Sequence, residues 1–327
     1  MDKALTSKQL VRRLFEGAEL PRPPVIPWVF SHAARLEQVP LRRMYAEPTQ
    51  YVRCLQSARK LYGYDAIIGG FDPSIEAEIA GCPLAWSGEY EVPLARPQPG
   101  FDFSRLGGID VEGAAKKGRF GTVVESLRRV NAVLGQSVGL AAVITGPLSL
   151  AAALIGKDMV KELAERPEAA AGEVEAAAGL VLKLAQVYCQ LELDIIVIAD
   201  RLVTLLPAER GPWLRSLFSP LVNTVRFYNA YTVLLPGMAS ETSALVELGF
   251  DGIVAPVDTK TTRCVLGKAI PIEVLRSKPP EFRDWLKASL TAMAGPGVFL
   301  TSDGEVPADT PPDNLHLLMN TIRGGQA

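Results

Sequence analysis

Two histidines and four cysteines in 327 residues leave few of the usual catalytic and metal-binding side chains. Cys54, Cys82, Cys189 and Cys264 are dispersed, with no C-x-x-C pair. That spacing argues against a disulfide framework and against a dedicated cysteine zinc site, and it fits a reducing cytoplasm. An excess of one charge is also lacking. The 34 Lys and Arg residues nearly balance 36 Asp and Glu residues, for a net charge of -2 and a pI near 5.9. The chain therefore carries no electrostatic footprint for nucleic acid, and a small-molecule substrate is the better expectation. Long hydrophobic runs are missing too. The most apolar stretch, Val138 to Ile155, is interrupted by Gly146-Pro147; it reads as strand, turn and short helix, whereas a membrane span needs about 20 uninterrupted apolar residues. The opening MDKALTSKQLVRRLFEG has the pattern of an amphipathic helix and no apolar core of signal-peptide type.

What the sequence does have is a recurring unit. Eight short apolar runs end in polar, Gly or Pro residues: Val25 to His32, Asp65 to Asp72, Leu140 to Pro147, Asp194 to Arg201, Tyr231 to Met238, Asp251 to Asp258, Lys268 to Leu275 and Val298 to Glu305. Helical patterns lie between them, among them Thr49 to Tyr62, Val123 to Leu134, Lys157 to Leu193 as one long helix, Pro212 to Phe227, Ala239 to Leu248 and Glu281 to Ala294. Alternation of this kind predicts an α/β protein, a single (β/α)8 barrel spanning residues 1–327. The interval between the second and third strands is too long for one helix, and its AWSGEYEVPLARPQPG predicts an insertion such as a hairpin.

The last run is the most site-like. VFLTSDGEVP is a buried strand that ends by placing Asp303 and Glu305 on a tight turn, and in a barrel the C-terminal strand ends carry the chemistry. The plainer alternative is that Asp303 and Gly304 only make a turn and Asp313 only caps a helix.

Six stretches together resemble the uroporphyrinogen decarboxylase superfamily, which also contains the cobalamin-linked methyltransferases of the methylcobalamin:coenzyme M type. They are RPPVIPWVFSHAAR, FDPSIEAEIAGCPL, ITGPLSLAAALIG, LDIIVIAD, ELGFDGI and SDGEVPADTPPDNL, in the family's order across nearly the whole chain. In the decarboxylase branch, two arginines, a tyrosine and a histidine surround a porphyrinogen bearing many carboxylates. Here the first arginine falls on Ser31, the second on Arg35, the tyrosine on Ala153 and the histidine on Asp303, while the aspartate of that branch is kept as Asp72. One arginine and one aspartate would not hold a polyanion. In the zinc-dependent thiol methyltransferases, a His-x-Cys and a later Cys bind the metal that activates the thiol. Those positions fall on Val233, Leu235 and Asp303, so zinc bound by the family's usual ligands is not expected. His32, Asp72, Glu76, Asp200, Glu241, Asp303 and Glu305 remain as an oxygen-rich neighbourhood.

The resemblance therefore implies a cytoplasmic, corrinoid-dependent methyltransferase without zinc, acting with methylcobalamin on a separate corrinoid protein and with a small methyl donor or acceptor. O-demethylation of a methyl ether, an aryl one included, is one concrete form. A decarboxylase of a smaller acid and a barrel that only binds a corrinoid or tetrapyrrole are the alternatives. A homodimer is implied for assembly, and no nucleic-acid or membrane partner. Asp303, Asp72, Glu305 and His32 are the catalytic candidates. Asp72 could equally cap the helix begun by Pro73, and a lone histidine is commonly a satisfied structural group. Arg35, Glu76, Asp200, Trp28 and Tyr231 are the substrate-binding candidates. The alternatives are a surface ion pair for Arg35, neutralisation of Asp200 by Arg201, and plain core for Trp28, Phe30, Tyr228 and Tyr231. His316 lies in the C-terminal helical pattern and reads as surface.

Overall fold

The computed structural model describes residues 5–238, 242–260 and 263–324. Seven strands form one parallel sheet: β1 (Ala66–Gly69), β4 (Gly139–Thr145), β5 (Ile195–Ala199), β6 (Tyr231–Leu235), β7 (Gly252–Pro256), β8 (Val265–Ile270) and β9 (Val298–Ser302), neighbours in that order. The insertion after β1 carries the expected hairpin, β2 (Leu84–Ala85) paired antiparallel with β3 (Leu94–Ala95).

The eighth position of the barrel is filled by a bridge in place of a full strand. Val25 pairs in parallel with Leu300. Around it the Ile26 N–H donates to the Leu300 carbonyl at 2.7 Å, Leu300 donates to Pro24 at 2.8 Å, and Asp65 donates to the Val25 carbonyl at 2.8 Å. These bonds tie β9 to the start of β1 and close the ring. The expected strand Val25 to His32 is cut short because Pro27 has no N–H for a ladder, and a helix, Ser31–Leu36, begins inside it. Proline corrects two further boundaries. Pro271 ends β8 at Ile270 and precedes the helix Ile272–Arg276, so the strand expected at Lys268 to Leu275 lies earlier. The long helix expected at Lys157 to Leu193 is two, Met159–Glu165 and Pro167–Cys189, broken at Pro167. Of the pattern Ala239 to Leu248, Ser243–Val246 is helical; Ala239, Ser240 and Glu241 lie outside the described residues.

Side-chain alternation along the strands sorts the core into two layers. Ile68, Val143, Val197, Val233, Val254 and Phe299 fill the barrel. Ile67, Ile144, Ile198, Leu234, Ile253 and Leu300 face the surrounding helices. Gly267 makes room for the Phe299 ring, since a Cβ there would sit 2.5 Å from it. Below, the helix Ser7–Phe15 covers the N-terminal end of the barrel, with Val11 and Leu14 in the inner layer. The opposite end, where the strands finish, is left to form a cavity.

Candidate active site

At the C-terminal strand ends lies a cavity of about 430 Å³, lined by Phe71, Asp72, Val143, Thr145, Ser149, Ala199, Arg201, Leu235, Ile272, Gly304 and Glu305, with Val92 reaching in from the hairpin. Most of its wall is apolar. A second cavity of about 500 Å³ adjoins it, lined by Ser31, Arg35, Tyr90, Arg276 and Asp309 among others, and shares Glu305 and Val92 with the first. Glu305 thus stands at the junction of both.

The carboxylates around this end are held in different ways. Asp72 is buried and fully bonded: it accepts from Tyr45 Oη at 2.8 Å, from Ser74 N–H at 2.8 Å and Ser74 Oγ at 2.6 Å, and from Arg119 Nη1. Arg119 also donates to Glu78 at 2.8 Å and to Ser74 Oγ at 3.0 Å, and its guanidinium lies over Tyr45. Glu76 is buried behind the wall and accepts from Thr145 N–H at 3.1 Å and Thr145 Oγ1 at 2.8 Å. Burial, with Asp72 nearby, pushes its carboxyl up to about 7 against these two bonds. Asp200 turns down to cap the helix Pro147–Ile155. It takes Leu148 N–H at 2.9 Å, Ser149 N–H at 3.1 Å and Ser149 Oγ at 2.8 Å, while burial raises its carboxyl to about 6. Gly146 permits that approach, because a Cβ there would be 2.3 Å from Asp200 Cβ.

The two acids of the final turn divide. Asp303 accepts the Ile272 N–H at 2.9 Å, and its carboxyl is raised by burial and lowered by Arg201. It caps the short helix after β8 and is absent from the cavity wall. Glu305 lines both cavities, accepts the Ser31 N–H through Oε1, and is pushed up to about 8 by loss of solvation and by Asp72. At neutral pH it is a protonated carboxyl facing an apolar space.

The remaining candidates scatter. His32 is buried away from both walls, with Nε2 2.7 Å from Tyr62 Oη and Nδ1 3.3 Å from the Ala308 carbonyl. Burial lowers its pKa, so it is a neutral, satisfied structural group. Trp28 packs inside the barrel, 6.4 Å from Phe71, and its Nε1 has no partner among the described residues. Tyr231 begins β6 and so lies at the closed end, stacked on Phe15 at 4.5 Å; distance from the cavity removes it from the substrate-binding set. Arg35 sits in the second cavity, 5.2 Å over the ring of Tyr90. His316, the other histidine, is half-buried beside Tyr62. Arg119 escaped sequence reasoning. The one available signal was a basic residue in the first turn of the helix Gly118–Leu134, where the helix dipole disfavours a cation.

A model of the uroporphyrinogen decarboxylase family matches residues 6–325. The chain belongs to that family. Among solved structures it is similar to a methyltransferase from Methanosarcina mazei, at 18% identity and a TM-score of 0.81, over 98% of this chain and 99% of that one. A B12-independent methionine synthase from Shewanella sp. W3-18-1 is more remote, at 11% identity and a TM-score of 0.54, over 94% of this chain and 96% of that one. Both likenesses establish the barrel. No curated protein matches the sequence. Where the family resemblance implies zinc ligands, Val233 is packed inside the barrel and Leu235 lines the cavity, so this family member's residues do not fit that metal. Among the described residues no helix is long and apolar enough to cross a membrane.

Proposed function

We propose that this family member is a methyltransferase that moves a methyl group between a small substrate in the barrel and a corrinoid carried by a separate protein, with a methyl ether, an aryl one included, as the substrate. The single observation behind this reading is Glu305, a carboxyl held near 8 on the wall of an apolar cavity. A porphyrinogen with many carboxylates would need several cations around it, and among the described residues Arg201 is the one cationic side chain on this wall. A neutral apolar group of modest size suits about 430 Å³ better.

The corrinoid would supply the nucleophile that accepts the methyl carbon as its bond to the ether oxygen breaks. This chain's own part is to hold the ether, exclude water and deliver one proton. Glu305 gives its proton to the departing oxygen, yielding a neutral alcohol or phenol, and recovers one from solvent afterwards. Asp72, with its acceptor sites filled by Tyr45, Ser74 and Arg119, fixes the wall. Leu94 on the hairpin, Leu205 after β5 and Met238 after β6 are exposed, each on a segment that follows a strand lining the opening, and offer apolar contacts to a partner docking at that end.

Anaerobic absorbance with purified protein, cobalt(I) corrinoid, a competent corrinoid protein and a panel of methyl ethers, methylamines and methyl thioethers tests the reading. Growth of the methylcobalt(III) band with ethers, lost in Glu305→Gln, is the expected result. No turnover with any donor overturns it.

A further inference from the structure

A substrate can use only those polar atoms that the protein has not already occupied. On the wall of the main cavity almost every one is taken. Asp72 accepts from four donors, Thr145 Oγ1 donates to Glu76, and Ser149 Oγ donates to Asp200. Two charged or titratable side chains on the wall have no ion pair among the described residues: Glu305, whose bonds run to Ser31, and Arg201.

Asp200 and Arg201 are adjacent in sequence, which invites mutual neutralisation. Their side chains instead part company. Asp200 is drawn to the N-terminal end of the helix Pro147–Ile155 and held there by three short bonds. Arg201 is exposed, lies on the cavity wall, and has no ion pair within 4.0 Å among the described residues. Its Nη2 lies 3.5 Å from where a Cβ on Gly304 would be, so the guanidinium runs beside the residue next to Glu305. A planar five-donor fork is therefore presented to the cavity beside a carboxyl; Asp303 feels its charge, but no carboxylate of the described residues lies within 4.0 Å of it.

We propose that the cavity takes a small methyl-bearing substrate that also carries a carboxylate, with Arg201 binding the carboxylate and Glu305 facing the oxygen that bears the methyl group. A methoxybenzoate is the simplest compound of this class. Its ring would lie on Phe71, Val143, Leu235 and Ile272. The inference rests on the methyltransferase reading for the methyl group; the anion site rests on the cavity itself.

Calorimetric titration of the full-length protein without corrinoid separates the two. The probes are 3- and 4-methoxybenzoate and the corresponding neutral methoxybenzamides. The unmodified protein is expected to bind at least one benzoate about tenfold more tightly than its amide, with the preference shrinking as salt is added. Arg201→Met should erase the preference by weakening benzoate binding far more than amide binding, and Arg201→Lys should restore part of it. Thermal unfolding of Arg201→Met should match the parent closely, because the guanidinium is exposed and has no ion pair within 4.0 Å among the described residues. Equal binding of acid and amide, a preference that survives Arg201→Met, or no binding of any benzoate each overturns the proposal. Arg201-dependent binding without methyl transfer to cobalt would keep the anion site and remove the methyltransferase reading. Transfer from neutral ethers with no preference for carboxylates would do the reverse.

Discussion

The two ends of the barrel use the same acidic residues in opposite ways. At the closed end, Asp65 receives both arms of Arg22 at 2.6 and 2.8 Å, together with Ser7 and the Val25 N–H. Asp194 lies 3.2 Å from both Lys8 and Arg12. Each buried charge has a cation. At the open end, Glu76, Asp200 and Glu305 have none within 4.0 Å among the described residues, and burial raises them to about 7, 6 and 8. Paired carboxylates fix the barrel; unpaired ones store protons near neutrality, where general acids are useful. Asp72 with Arg119 is the exception at the open end, and it divides the wall into a rigid side and a reactive one.

Breaking a pair at the closed end should have the largest effect on folding. Arg22→Met leaves Asp65 buried without its guanidinium, and urea unfolding should register a loss of about 3–5 kcal/mol. At the open end the corresponding change is one of pH dependence. Glu76 has a native value of about 7 against 4.5 in the unfolded chain. Between those values the native state binds the extra proton, so stability falls as pH rises from 4.5 to 7 and levels off above 7. This slope amounts to about 3 kcal/mol at most. Glu76→Gln keeps partners for Thr145 N–H and Oγ1, so denaturation midpoints across this range should lose that part of the slope. Lys8→Ala sharpens the comparison from below. Asp194 keeps Arg12 and the Leu140 N–H, so the cost should be under about 1 kcal/mol.

The barrel was legible because its strands are continuous apolar runs at regular intervals, and what failed was local. Pro27 and Pro271 removed ladder donors inside runs that otherwise read as strands. At the site, strand direction alone places Tyr231 at the closed end, because it is the first residue of β6. The choice between Asp303 and Glu305 was not readable: both are acids on one turn, and the Ile272 N–H that occupies Asp303 comes from a helix whose start depends on where β8 ends. Arg119 meets Asp72 from 47 residues away, a pairing that no local pattern encodes.

The account turns on Glu305 holding a proton at neutral pH. Infrared difference spectra of the parent protein against Glu305→Gln isolate its carboxyl stretch from those of Glu76 and Asp200. A protonated carboxyl band present at pH 6.5–7 and titrating away around 8 is the predicted result. A band already absent at neutral pH would contradict the account, since an ionised Glu305 could not protonate a departing oxygen.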